Sequence, residues 1–130
     1  MGLRVGIDLV SVGDVEASID RYAERYLNRV YTPDELSECR ATDGTLVTER
    51  LATRFAAKEA LLKALRTDDE AIPWSDIAVR SGRFGAPSLE LTGAAREAAR
   101  RRGVRHVEVS LTHDGPLAAA VVVAEVGGAS

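Results

Sequence analysis

A chain of 130 residues with 45% hydrophobic and 28% charged residues has the length for one domain around one core, and its composition excludes the disordered and fibrous classes. Its net charge of −3 argues against a nucleic-acid binder, and its single cysteine, Cys39, excludes an intrachain disulfide and any cysteine-rich metal cage. No stretch approaches the ~20 apolar residues of a membrane span and the apolar start is short and interrupted by Asp8, so the reading is a cytoplasmic protein with no membrane attachment.

In chain order, Leu3, Val5, Ile7 and Leu9 alternate with Arg4, Gly6, Asp8 and Val10, which predicts a strand with one buried face and Asp8 on the other. Val15, Ile19, Tyr22, Tyr26 and Val30 then recur every three or four residues as an amphipathic helical stripe, with a bend or break expected before Val30. Thr32-Pro33-Asp34-Glu35 has the form of a capping box with proline in the first turn, predicting a short helix that ends near Asp43-Gly44. Thr45 to Leu65, free of Gly and Pro, predicts the longest helix. Ile77 to Arg80 and Ser88 to Leu91 read as strands joined by the glycine-rich segment Ser81 to Pro87, and Gly93 to Arg102 as a helix closed by Gly103. His106 to Thr112 and Leu117 to Val126 form a predicted hairpin whose second strand is buried on both faces. The organisation expected is a single domain over 1–126 followed by a flexible tail, 127–130.

Three places break these patterns. On a helical wheel of about 100° per residue, Leu51, Phe55, Leu62 and Leu65 fall in one sector; Lys58 falls inside it and Glu59 at its edge. A lysine there is costly without an anionic partner. Glu59 and Lys63, four residues apart, read either as an exposed ion pair or as a metal ligand beside a phosphate-binding lysine, with Arg54 on the same helix. Asp8 reads either as an edge-strand charge facing water or, if it meets Glu59, as the second carboxylate of a hard-cation site of the kind magnesium takes. His113 closes its strand just before a turn, and Arg21, Arg25 and Arg29 form one row on a continuous helix.

Taken together, Gly6-Ile7-Asp8-Leu9-Val10, the helix Arg54-Phe55-Ala56-Ala57-Lys58-Glu59-Ala60-Leu61-Leu62-Lys63-Ala64, the turn Gly85-Ala86-Pro87 and the strand end Ser110-Leu111-Thr112-His113 resemble the motifs of the holo-acyl-carrier-protein synthase family, the short-chain phosphopantetheinyl transferases. The resemblance implies an α+β fold, a small antiparallel sheet packed against a long helix in the 4′-phosphopantetheinyl transferase fold, assembled as a homotrimer with sites between subunits. It implies an enzyme that moves 4′-phosphopantetheine from coenzyme A to a serine of an apo acyl carrier protein, in fatty acid or polyketide biosynthesis. Asp8 and Glu59 would ligate Mg2+, and Glu59, Lys63 and His113 would serve catalysis. Arg54, Lys58, Lys63, Gly85, Pro87, Thr112 and His113 would bind coenzyme A, and Arg21, Arg25 and Arg29 would dock the carrier. Where many relatives carry a basic residue this chain has Ala86, which removes a side-chain phosphate contact from that turn. Two alternatives share these features: a non-catalytic trimeric nucleotide-binding module, and a magnesium-dependent hydrolase of coenzyme A.

Overall fold

A computed structural model describes residues 1–127, apart from the side chain of residue 83. The chain runs β1 (Gly2–Ser11), α1 (Val12–Tyr22), α2 (Glu24–Val30), α3 (Pro33–Glu38), α4 (Thr48–Leu65), β2 (Ile77–Ser81), β3 (Pro87–Leu91), α5 (Gly93–Arg101), β4 (Val104–Asp114) and β5 (Leu117–Val126). Strands β1, β5 and β4 form an antiparallel sheet with β5 central, while β2 and β3 pair separately as a hairpin.

The long helix α4 organises both halves. Its alanine face, Ala56, Ala57, Ala60 and Ala64, is buried, as are Ala118, Ala120, Val122 and Ala124 of β5. Small side chains on both surfaces allow the sheet and helix to approach closely. The approach is tightest at Gly6, where an added Cβ would stand 1.9 Å from the carbonyl oxygen of Ala60; only glycine lets β1 lie this close.

That contact reverses the expected sense of β1. Gly6, Asp8 and Val10 face inward, whereas Leu3, Val5, Ile7 and Leu9 are 62, 61, 66 and 64% exposed. The apolar set therefore occupies the outer face of the sheet, in register with Ala119, Val121 and Val123 of β5. Strand β5 is likewise fully buried only on its inner face and half-buried on the outer one.

The predicted helical stripe after Gly13 is interrupted at Ala23, whose φ of 49° ends α1 and redirects the chain into α2. Leu27 joins Val15 and Val30 in the core, while Tyr22 is left exposed. The capping box forms as predicted: Thr32 Oγ1 accepts from Glu35 N–H, and Glu35 Oε1 accepts from Thr32 N–H. Helix α3 ends at Glu38, earlier than expected, and a bridge between Arg40 and Leu46 delays the start of α4 to Thr48. Gly127 still donates its N–H to Gly103, so the expected tail does not begin there; residues 128–130 lie outside the described residues.

Candidate active site

The inward turn of Asp8 brings it to Lys63 on α4. Lys63 Nζ donates to Asp8 Oδ1 at 2.8 Å and to the carbonyl oxygen of Ile7 at 3.1 Å, fixing the strand to the helix. Asp8 is 8% exposed, and its Oδ2 is buried with no hydrogen-bond partner among the described residues. Glu59, one turn before Lys63, lines the same groove as Asp8, together with Ser11, Asp14, Ser18, Tyr26 and Phe55. Burial, and after it the neighbouring Asp8 carboxyl, pushes the pKa of Glu59 up to about 7. The lysine ammonium is held in its charged form: its bond to Asp8 raises its pKa above the ordinary lysine value. The site thus holds two crowded carboxylates, one of them half-protonated near neutrality, and a cation already spent on one oxygen. An orphaned, buried carboxylate oxygen beside a second carboxylate is a donor set that a hard divalent cation would satisfy. Among the described residues no cluster of three or more His, Cys, Asp or Glu could complete such a shell; water or a phosphate-bearing ligand would have to.

A larger groove of about 660 Å³ continues from Glu59 and Lys63 past Leu62, Arg29, Ile72 and Trp74. A neighbouring one of about 520 Å³ runs between Tyr22, Arg25, Tyr26, Arg29, Phe55 and Trp74.

Arg54 lies elsewhere. Its guanidinium donates to Glu38 Oε2 at 3.2 Å and Ser81 Oγ at 3.1 Å, and it lines a separate groove with Arg50, Gly85, Pro87 and Ser110. The expected nucleotide residues Arg54, Gly85 and Pro87 therefore do come together, but apart from Asp8, Glu59 and Lys63. Helix geometry explains this: five residues along α4 turn Arg54 about 140° away from Glu59. Thr112 and His113 are exposed near the end of β4, Thr112 on the outer sheet face across Ala119 from Leu9. Within one chain they join neither group.

Lys58 is a correction to the expected phosphate contacts. Its side chain and that of Glu35 are both 0% exposed, and its ammonium donates to Glu35 Oε1 at 2.6 Å, Ile77 O at 2.5 Å and Trp74 O at 3.1 Å. Three donors meet three acceptors, leaving none for a ligand. Burial pushes its pKa below the ordinary lysine value, against the opposing pull of Glu35.

The arginine row is divided by the break at Ala23. Arg21 and Arg25 still converge, their guanidinium carbons 5.4 and 5.8 Å from the ring centre of Tyr22, while Arg29 turns toward the Glu59 groove. None of the three has a carboxylate within ion-pair distance among the described residues. Two residues that sequence reasoning passes over also line the site. Tyr26 sits beside Glu59, its hydroxyl 3.2 Å from that of Tyr31, which donates to Leu51 O. Trp74, the single tryptophan, packs on Phe55 with ring centres 5.1 Å apart. Tyr26 belongs to the apolar stripe and is legible only as core; Trp74 follows a proline in a polar connection, and its uniqueness is the one available signal.

A strand carboxylate, a helix carboxylate and a lysine thus meet along one groove of a small α+β fold. A sequence model described as the 4′-phosphopantetheinyl transferase superfamily matches residues 4–122, and the chain belongs to that family. It is 46% identical to a holo-[acyl-carrier-protein] synthase of Anaeromyxobacter dehalogenans over 98% of this chain and 99% of that one. It is 41% identical to that of Halothermothrix orenii over 95% and 97%. Among solved structures, the Helicobacter pylori holo-[acyl-carrier-protein] synthase in complex with coenzyme A superposes with a TM-score of 0.80 at 29% identity, covering 93% of this chain and 99% of that one. The Chronobacterium ammoniagenes complex with coenzyme A gives 0.84 at 27%, covering 98% and 100%.

Proposed function

We propose that this chain transfers the 4′-phosphopantetheine group from coenzyme A to a serine of an apo acyl carrier protein and releases adenosine 3′,5′-bisphosphate. The observation that carries the reading is the Asp8–Glu59 pair beside Lys63, in a chain nearly collinear with relatives named for this reaction. The serine oxygen bonds to the phosphorus attached to pantetheine, and the bond from that phosphorus to the bridging oxygen of the diphosphate breaks. The electron pair leaves with the adenosine bisphosphate. Glu59, which shares the groove with Lys63, is assigned as the base that takes the serine proton. Lys63, with its side chain more than half exposed, can lend its charge to the reacting phosphate without leaving Asp8.

Asp8 and Glu59 would hold magnesium, and the unpartnered Asp8 Oδ2 supports that assignment. When bound, the ion supplies charge neutralisation of the diphosphate. Arg54, Gly85, Pro87, Thr112 and His113 are assigned to the nucleotide, contributed by an adjoining copy in a homotrimer. The exposed apolar row Leu3, Val5, Ile7 and Leu9 supports such an assembly, since a contiguous apolar face of this kind marks an association surface. Arg21 and Arg25, which lie over Tyr22, and Arg29, all three without a carboxylate partner among the described residues, suit an acidic carrier surface. A lone cysteine, buried as a thiol, fits a cytoplasmic protein.

The test is to follow adenosine bisphosphate release from coenzyme A and magnesium with and without apo carrier protein. Release that requires the carrier supports transfer; equal release without it means hydrolysis, and none in either means a binding module.

A further inference from the structure

The buried Lys58–Glu35 pair is far more elaborate than the core needs. Glu35 closes the capping box of α3 through Thr32 N–H and accepts from Val79 N–H of β2 at 2.9 Å, while Lys58 draws in the carbonyls of Trp74 and Ile77. Four segments of the chain, α3, α4, the 74–76 turn and β2, are thereby fastened to one ion pair. Of these, α4 carries Glu59 and Lys63 themselves, and the turn reaches the same groove through Trp74. Trp74 forms a wall of both the Glu59–Lys63 groove and the groove lined by Arg25 and Arg29, and its ring rests on Phe55 of α4. Along the connection from Thr67 to Trp74, the described hydrogen bonds to α4 come at its start, from Thr67 to Leu62, and at its end, from Lys58 to Trp74.

We propose that Lys58 and Glu35 are positioning residues for transfer: by gripping the carbonyls of Trp74 and Ile77 they set the Trp74 indole as the shared wall along which coenzyme A is held when the carrier arrives. The inference rests on the transfer reading for its substrate, not for its geometry. The indole offers a flat, largely apolar surface with one N–H donor, matched to a chain of amides and methylenes. It lines the same groove as Glu59 and Lys63, where the phosphate would react. Loosening the carbonyl grip leaves Asp8, Glu59 and Lys63 untouched, so binding of coenzyme A suffers before the chemical step does.

The single tryptophan makes the test direct. In the double variant Lys58→Met/Glu35→Gln, which removes both charges together, Trp74 emission in the free protein should move to the red. The concentration of coenzyme A that half-saturates the Trp74 signal, and the KM for coenzyme A, should rise about tenfold while kcat stays within about threefold. Trp74→Ala, which keeps the pair and alters a half-buried residue, should reproduce the KM rise. Unchanged emission and half-saturation in a folded double variant overturn the proposal, as does a Trp74→Ala enzyme with unaltered KM. A wild-type protein that titrates with coenzyme A yet transfers nothing refutes the transfer reading alone, because the fluorescence titration needs no turnover.

Discussion

Lys58→Met separates the buried pair into its costs. The substitution leaves Glu35 fully buried with its carboxylate facing an apolar side chain, and it strips the added donor from the carbonyls of Trp74 and Ile77. Removing one member of a buried ion pair costs about 3–5 kcal/mol. For a domain of this size that is a fall in melting temperature on the order of 10–20 °C. Glu35→Gln alone should also destabilise, since it strands the Lys58 ammonium. Together the two changes should cost only about 2–3 kcal/mol, since no charge is left without a partner, although the one amide oxygen of the introduced glutamine can replace only one of the two Glu35 oxygens that accept from Thr32 N–H and Val79 N–H. A double-mutant cycle by urea denaturation should therefore return a coupling of at least about 2 kcal/mol. Additive losses would mean that Lys58 acts through packing alone, and the account of the buried pair would be wrong.

At the proposed magnesium site, Glu59 should make binding pH-dependent. Its pKa in the fold is about 7 against an ordinary 4.5, so the folded chain holds that proton more tightly than the unfolded one, and stability from this group falls as pH rises through 4.5 to 7. Magnesium competes with the proton; added magnesium should raise the melting temperature strongly at about pH 8 and little at about pH 5.5, and equal shifts would count against the Asp8–Glu59 site. Charge reversal at Arg21 and Arg25 should raise the KM for carrier protein several-fold more than that for coenzyme A; equal effects would exclude a docking role. Ile7→Asp places a charge on the exposed apolar sheet face and should lower the mass seen by light scattering to that of one chain. An unchanged oligomer would refute that face as the interface.

Much of this is legible in local pattern. The capping box at Thr32–Glu35 announces α3 because both of its partners lie within four residues. Lys58 stands out as an anomaly in an apolar stripe, but its partner does not, because Glu35 is 23 residues away and reaches it only once α3 packs on α4. Strand β1 is legible as a strand but not in its orientation. Alternation defines two faces without saying which is covered, and the covered one is chosen by Gly6, whose missing side chain lets α4 approach. That choice carries Asp8 inward to Lys63. The break at Ala23 has no Gly or Pro to mark it, and the division of the arginine row is hidden with it. At the site, Asp8 and Glu59 face one groove and Arg54 joins Gly85 and Pro87 in another. Their separation reflects the pitch of α4, which no motif states.

The measurement closest to the central claim is the intact mass of an apo acyl carrier protein after incubation with coenzyme A, magnesium and this protein, alongside Asp8→Ala and Glu59→Ala. The account predicts a gain of one phosphopantetheine on a single serine with the wild-type chain and none with either folded variant. An unmodified carrier with the wild-type chain, or near-normal modification by either variant, would contradict it.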